Sequence, residues 1–472
     1  MVILIGAVLL LVLAVLGLAH WYLWRRLVRD TTRGPGPART LGTVFFVAPP
    51  LLMLAAFAGS RTLPFGVLRV MAWPGYLWAA VLLYLLLAVA VGELLRPLLF
   101  RVMRGRYGRE GEGAVPVTAT EGAPAGARGA AKNAVTAGDP APPAPAPVSG
   151  PAPDPGPAPV SGPAPDPGPA PVSGPDTAEG PAPAPASEPA REGAPRPGPS
   201  RRLFVSRIVG GAAGAVALGT VGHGAYGVLR GPRLKHVTIP LAKLPRSAHG
   251  FRIAVVSDIH LGPILGHAHT RRIVDTINGA QPDAVAVVGD LVDGSVAELG
   301  HAAQPLSGLR ARHGAYFVTG NHEYYSGADE WIDEVRELGL RPLENARVEL
   351  PGFDLAGVND ISGEDHHAAP DYEKALGDRD QARAAVLMAH QPVMIHEAVK
   401  HHVDLQLSGH THGGQLFPGN LLARAANPTV AGLDHYGDTT LYVTRGAGAW
   451  GPPVRVGAPS DITVVTLAAK SA

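Results

Sequence analysis

Long apolar runs interrupt the first half of the chain, and a shorter-period pattern fills the second half. VILIGAVLLLVLAVLGLAHWYLW occupies 2–24, LGTVFFVAPPLLMLAAFAG occupies 41–59, a third run extends from about Tyr76 to Leu95, and LFVSRIVGGAAGAVALGTVGHGAYGVL occupies 203–229. Each approaches or exceeds the roughly 20 residues that cross a bilayer as a helix. Buried core helices or a cleaved signal peptide fit the first and third runs poorly. The fourth run is richer in glycine and is interrupted by Arg207 and His223. His20 and Glu93 lie near run ends, where polar side chains reach the interface, and carry no assigned chemistry.

From about Val237 the pattern becomes that of a globular α/β domain. FRIAVVS (251–257), DAVAVVGD (283–290), AYFVTGN (315–321), AAVLMAH (384–390), VDLQLSGH (403–410), TLYVTRG (440–446) and DITVVTL (461–467) are short apolar runs of strand length. HTRRIVDTINGA (269–280) and GADEWIDEVRELG (327–339) carry apolar residues at helical spacing. Strands alternating with helices predict sheets packed between helices.

Composition changes this picture in one place. The 47 prolines and 59 glycines among 472 residues concentrate between about Gly108 and Pro199, where VSGPAPDPGPAP occurs at 148–159, again at 160–171, and restarts at Val172. Such a stretch cannot bury enough apolar surface to fold and predicts a semi-stiff disordered spacer. Glycine is not at every third position, which excludes collagen. With no cysteine, disulfides, thiolate metal sites and cysteine nucleophiles are excluded together. Charge is balanced at 40 basic against 39 acidic residues, so no nucleic-acid partner is expected.

Local charge predicts a topology. WRRLVR (24–29) and RPLLFRVMRGRYGR (96–109) follow the first and third runs, and Ser200-Arg201-Arg202 precedes the fourth, whereas the loop at 60–73 carries only Arg61 and Arg69. The positive-inside rule then places the N-terminus outside, the linker in the cytoplasm and the C-terminal domain outside. SRRLFVS (200–206) resembles a twin-arginine export motif as well as an ordinary basic flank. Either one sends the domain outward.

Residues able to bind metals collect just past the ends of the predicted strands. Asp258 and His260 follow FRIAVVS, Asp290 and Asp293 follow AVAVVG, Asn321 and His322 follow AYFVTG, His390 follows AAVLMA, and His410 and His412 follow LQLSG. In open α/β sheets the strand ends form the ligand crevice. A lone DxH is more often a turn and cap than a ligand; five such segments delivering Asp, Asn and His to one rim point to a metal centre. Asp293 also reads as a helix N-cap. His267 and His269 read as solvated loop residues. The tandem pairs His366-His367 and His401-His402 cannot converge on one point.

DIH (258–260), GDLVDG (289–294), GNHE (320–323), the histidine of MAHQP (388–392) and GHTH (409–412) resemble the motif blocks of the calcineurin-like metallophosphoesterases, and GNHEYY with GHTHGGQ is most similar to their YkuE/YaeI-type membrane-associated bacterial branch. The resemblance covers about 237–467. One departure is Pro459-Ser460-Asp461, where the branch often has Pro-Glu. The resemblance implies an α/β fold, a four-layer α-β-β-α metallophosphoesterase sandwich, preceded by transmembrane helices and a disordered Pro/Ala-rich linker. The expected divisions are a three-helix transmembrane region (1–107), the linker (108–199), a fourth transmembrane or signal-anchor segment with a twin-arginine-like start (200–230) and the metallophosphoesterase domain (237–472).

The resemblance also implies two ions of Mn, Fe or Zn. Asp258, His260 and His412 would hold the first, Asn321, His390 and His410 the second, and Asp290 would bridge them. Imidazole and carboxylate donors suit these metals. Phosphomonoester or phosphodiester hydrolysis by a metal-bridging hydroxide is the implied reaction. His322 would protonate or stabilise the leaving oxygen, and Asp293 would orient it. Gly409, Gly413 and Gly414 are expected to let the backbone pass close to the metals. Glu323, Tyr324 and Tyr325 read either as lining the substrate mouth or as core, and Arg445 as a phosphate contact or a surface pair. The expected location is the cell membrane, multi-pass, with an extracytoplasmic catalytic domain acting on a lipid- or wall-linked phosphate ester. The alternative is a non-catalytic metal-binding membrane protein; transport is disfavoured because the apolar runs lack charge pairs at their centres.

Overall fold

The computed structural model describes residues 2–59, 62–107 and 201–470, so the Pro/Ala-rich stretch expected to be disordered lies outside the described residues. Among the described residues four long helices precede the sheets: α1 (Val2–Leu27), α2 (Pro37–Ala58), α3 (Phe65–Tyr107) and α4 (Arg201–Leu229). All four are long and apolar enough to cross a membrane. Helix α3 corrects the expected run from Tyr76 to Leu95: it is 43 residues long and starts at Phe65. The stretch FGVLRVMAW (65–73) is apolar as well, and Pro74, which reads as a break, lies inside the helix. Its first turns are helical because they pack on protein, and Phe65 sits against the core of the C-terminal domain.

At one end of the bundle Glu93 pairs with Arg26 at 3.1 Å and Arg96 at 3.0 Å, and Arg96 donates to Ser206 Oγ at 2.9 Å. Glu93 thus ties α1, α3 and α4 together. At the other end the bundle meets the domain. Val454 is fully buried among Ala213, Ala217 and Val221 of α4, and Tyr84 Oη donates to the Phe417 carbonyl at 3.0 Å.

Twelve strands build the domain. In chain order these are β1 (Arg233–Leu241), β2 (Arg252–Val256), β3 (Ala284–Val288), β4 (Ala315–Val318), β5 (Arg341–Pro342) and β6 (Ala346–Leu350). They continue as β7 (Phe353–Gly357), β8 (Ala384–Met388), β9 (Leu405–Ser408), β10 (Gly432–Tyr436), β11 (Thr439–Val443) and β12 (Asp461–Ala469). One sheet has the order β1-β12-β2-β3-β4-β5 and the other β10-β11-β9-β8-β7-β6. Both are mixed, with β12 antiparallel to β2 and hairpins at β6–β7 and β10–β11.

The sheets pack face to face through Ile253, Val255, Val288 and Val318 on one side and Leu355, Val386, Met388 and Leu407 on the other. The outer face of the first sheet buries Val256, Val285 and Phe317 under helices α5 (His267–Gly279), α6 (Val296–Ala303) and α8 (Ala328–Glu337), which supply Ile273, Leu299 and Trp331. Between α6 and α8 a short helix, α7 (Asn321–Ser326), follows β4. The outer face of the second sheet buries Leu387, Leu441 and Val443 against Tyr372, Ile395 and Ala398. This is the expected four-layer arrangement.

The central strands explain why chemistry collects at one rim. β2, β3 and β4 run parallel, with Val256 opposite Val287 and Val288 opposite Val318. Parallel neighbours in this register end together, so the loops after them emerge side by side. β8 and β9 do the same in the second sheet, Met388 lying opposite Leu407.

Candidate metal centre

The seven residues expected to hold metals converge at that rim. Asp258, His260, Asp290 and His412 place one ligand-type atom each within 4.8 Å of one another, and so do Asp290, His390 and His410. Asp290 belongs to both groups. Its Oδ2 lies 3.7 Å from His260 Nε2 and 3.2 Å from His390 Nε2. One carboxylate oxygen therefore stands between the two clusters. His260 Nε2 and His412 Nε2 are 3.0 Å apart, His412 Nε2 is 3.3 Å from Asp258 Oδ1, and His410 Nδ1 is 3.0 Å from Asn321 Oδ1.

The backbone is bent to achieve this. Asp258, His260, Asp290, His410 and His412 have φ of 49°, 48°, 54°, 70° and 53°. Left-handed backbone in residues with a Cβ costs of order 1–2 kcal/mol each and persists only where the surroundings impose it. Two glycines make room. A Cβ at Gly409 would meet Ser257 and the Asp258 carboxylate, and one at Gly320 would fall on the Asp290 carboxylate. Gly413 and Gly414 correct an expectation: they have φ of 63° and 80°, but face Arg445 and Asn420 and not the ligand cluster.

Each candidate ligand is fixed from behind. The His390 Nδ1 side is held by the Val288 carbonyl at 2.9 Å, and His260 Nδ1 by Asp293 Oδ1 at 2.8 Å. Asp258 accepts from the His410 amide at 2.9 Å and from the Ser257 hydroxyl. Arg455, 5% exposed, donates to the carbonyls of Gly448 at 2.6 Å, His412 at 3.0 Å and Ala458 at 3.2 Å, and its Nη2 lies 3.1 Å from His412 Nδ1. Such outer contacts set ring orientation at metal sites.

Asp293 does more than the sequence suggests. Its Oδ1 is 2.7 Å from His322 Nδ1 as well as 2.8 Å from His260 Nδ1. One oxygen thus joins a candidate ligand to the candidate acid. The N-cap alternative fails, since α6 is capped by Ser295 in a capping box with Glu298.

Electrostatics favour a cation here. Burial opposes charge on Asp290, but the His390 and His260 imidazoles outweigh it and hold the carboxyl well below its usual range. Burial likewise opposes charge on His260, and Asp293 with Asp290 and Asp258 overcomes it, lifting the ring to about 9. Burial, then the neighbouring His390, lowers His410 to about 4, keeping that imidazole neutral, the form that ligates metals.

The residues fit divalent ions on their own chemistry. His390 Nε2 is buried and faces the Asp290 carboxylate at 3.2 Å without a well-aligned hydrogen bond, an arrangement that an ion beside Asp290 would satisfy. Two carboxylates, Asp258 and Asp290, and four imidazoles, His260, His390, His410 and His412, converge, and the sequence holds no cysteine to supply a thiolate.

Other expectations resolve as follows. Glu323 is fully buried and does not line the mouth; it accepts from the amides of Gly320 at 2.6 Å, Leu291 at 2.7 Å and Asp290 at 3.0 Å. Burial, then the Asp290 charge, raises its carboxyl to about 7. Tyr324 is buried too, whereas Tyr325 is 58% exposed with its ring 5.6 Å from His322. Arg445 forms an ion pair with Asp461 at 3.6 Å. His267 stacks on His301, and His401 on Tyr372. His269 corrects its assignment to a solvated loop: it is 2% exposed in α5.

Arg455 and Trp450 were missed by sequence reasoning. Arg455 interrupts the apolar pair Val454 and Val456, a charge inside an apolar run that signals a buried, partnered guanidinium. Trp450 left no periodic signal; its ring lies 5.7 Å from His322.

Known proteins are similar to this chain over the domain that carries the site. Residues 251–414 match the family described as calcineurin-like phosphoesterase. A transmembrane protein with metallophosphoesterase domain from Danio rerio is 38% identical over 260 residues, 52% of this chain and 59% of its own length. An uncharacterized metallophosphoesterase of Helicobacter pylori is 37% identical over 276 residues, 58% of this chain and 74% of that one. The uncharacterized metallophosphoesterase YkuE of Bacillus subtilis is 31% identical over 282 residues, 57% of this chain and 97% of its own. With two six-stranded sheets delivering the whole Asp, Asn and His set to one rim, and relatives of this kind matched over most of their length, the chain belongs to the calcineurin-like phosphoesterase family.

Proposed function

We propose that this protein is a membrane-anchored, dinuclear metal-dependent phosphoesterase. The observation that carries the proposal is the single Asp290 oxygen placed between His260 and His390, each belonging to a separate ligand cluster. Asp258, His260 and His412 would hold one ion, Asn321, His390 and His410 would hold the other, and Asp290 would serve both. Ions such as Mn, Fe or Zn, when bound there, would supply Lewis acidity and a water made nucleophilic at neutral pH. The four described helices and the domain support a division into three membrane helices, a fourth membrane segment and a catalytic domain; the linker at 108–199 lies outside the described residues.

The protein's own residues do the rest. His322 is held through Nδ1 by Asp293, so its Nε2 edge serves the cavity. There it donates a proton to the leaving oxygen, or a hydrogen bond to the phosphoryl group. Asp293 is a positioning residue: it fixes the His322 ring and, through the same oxygen, the His260 ring. Tyr325 and Trp450 flank His322 and limit how a leaving group can approach it.

Location narrows the substrate. Arg25, Arg26, Arg96, Arg101, Arg201 and Arg202 lie toward the same end of the helices, opposite the domain, which supports an extracytoplasmic active site by the positive-inside rule. An envelope phosphate ester follows: a phospholipid, a lipid-linked sugar phosphate or a wall polymer. The complete ligand set speaks against a non-catalytic role.

The test uses the full chain in lipid nanodiscs, loaded with Mn, Fe or Zn and offered aryl phosphate mono- and diesters. Turnover with at least one metal is expected, and His322→Asn slows it most for poor leaving groups while metal content stays that of the wild type. Absence of turnover with every metal would sink the enzyme assignment.

A further inference from the structure

We propose that the apolar half of the metal-site cavity, walled by the adjoining ends of α2 and α3, binds the hydrocarbon chain of an amphiphilic phosphate ester. The proposal rests on the phosphoesterase assignment above and specifies its substrate class.

The cavity encloses about 1180 Å³. That exceeds the roughly 300–1,000 Å³ of an ordinary small-ligand site, and far exceeds a phosphate with a small leaving group. Its two ends differ. One holds His260, Asp290, Asn321, His322, His410 and His412. The other is built by the membrane helices and the turn between them, five of its six residues carrying hydrocarbon or aromatic surface: Phe57, Leu63, Pro64, Leu68 and Tyr76, with Thr62. The wall continues from one end to the other. Trp450 stands 5.7 Å from His322, a Cβ at neighbouring Gly451 would lie 4.0 Å from Phe57, and the Phe57 ring is 4.9 Å from that of Tyr76.

Charge selects the ligand. No lysine or arginine lines the cavity among the described residues, and the acidic Glu298 does. A nucleotide or polyphosphate carries further anionic groups, and a protein that bound one would present cations beyond the metal centre. A single phosphate ester needs none. Its polar group is served by the metal cluster, and the remainder of the cavity offers mainly hydrocarbon contact.

Access points the same way. The helix that supplies Leu68 and Tyr76 to the cavity also carries Val67 and Val70, 47% and 74% exposed, on its outer surface. A chain lying against α3 in the bilayer therefore has an apolar route toward the metal centre, and the phosphate needs to rise only to the membrane surface. The length of α3 makes sense in this light: its turns before Tyr76 lift the apolar wall into the catalytic domain.

The experiment measures n-alkylphosphonates of two to eight carbons as competitive inhibitors of aryl phosphate ester hydrolysis by the full, metal-loaded chain in nanodiscs. Burial of each methylene is worth about fourfold in affinity, so Ki should fall by about that factor per added carbon. Leu63→Asn and Phe57→Asn should flatten this dependence, and metal analysis checks that both variants retain the bound ions of the wild type. In a second arm, an octylphosphonate with a terminal diazirine is photolysed on the protein and the adducts are mapped by mass spectrometry. Adducts within 57–76 are expected. Because the labelling arm needs no turnover, it judges the chain site even if no ester is hydrolysed. Hydrolysis of the aryl ester with a chain-independent Ki, an undiminished slope in both variants, or adducts confined elsewhere would each overturn the proposal.

Discussion

Replacing Asp293 tests the two contacts that one oxygen makes. Its Oδ1 meets His260 Nδ1 at 2.8 Å and His322 Nδ1 at 2.7 Å. A hydrogen bond to a charged group contributes about 1.5–3 kcal/mol. The Asp293 side chain is 22% exposed, so water refills part of the loss and the lower figure applies. About 1.5 kcal/mol per bond corresponds to roughly tenfold on each side. Asp293→Ala should therefore weaken metal binding about tenfold through His260, within the range seen when partners of metal ligands are removed, and slow turnover about tenfold through His322. Asp293→Asn keeps an acceptor and should lose less on both counts.

The assay is hydrolysis as a function of metal concentration, with affinity measured separately by chelator competition. Excess metal should recover the affinity loss and leave the turnover loss, which grows as the leaving group becomes poorer. If excess metal restores Asp293→Ala fully, Asp293 serves His260 alone and His322 is not held for catalysis as argued.

Three further outcomes follow from the same geometry. Asp290→Ala removes the oxygen between both clusters, so metal content measured by mass spectrometry should fall below about one ion per chain, with activity lost; two retained ions would contradict the bridging role. Arg455→Met strips three carbonyls of a buried donor, at about 1 kcal/mol each, and a thermal melt should fall by roughly 6–12 °C with weaker metal binding; a shift under about 2 °C would show those bonds contribute little. A phosphatase reporter fused at the C-terminus should be active and a fluorescent reporter in the linker should fluoresce; the opposite pair would reverse the topology.

The site was legible to an unusual degree because its ligands follow strands that are apolar on both faces. Runs such as FRIAVVS and DAVAVVGD can be placed without a structure, and the polar residue after each run then falls at a sheet rim. Glu323 shows the limit. It sits in the same motif as Asn321 and His322 and reads equally as a mouth or a core residue, and only the fold shows it sealed beneath the Asp290 loop, holding three backbone amides. Direction of a side chain out of a short helix such as α7 depends on what packs over it, and spacing carries no record of that. The edge elements failed for a similar reason: β5 is two residues long, and β10 has exposed Leu433 and His435, so neither shows a buried-strand pattern.

The sequence by itself determined the apolar helices, the strand–helix alternation and the collection of Asp, Asn and His side chains just past the strand ends, because each is written in local periodicity or in residue type. Only the tertiary structure decided that Asp293 serves two histidines, that Arg455 anchors His412, and that α2 and α3 form one wall of the catalytic cavity. These contacts join segments from tens to hundreds of residues apart. They depend on parallel strand register and on helix ends docking against a folded domain, and both arise from packing over the whole molecule.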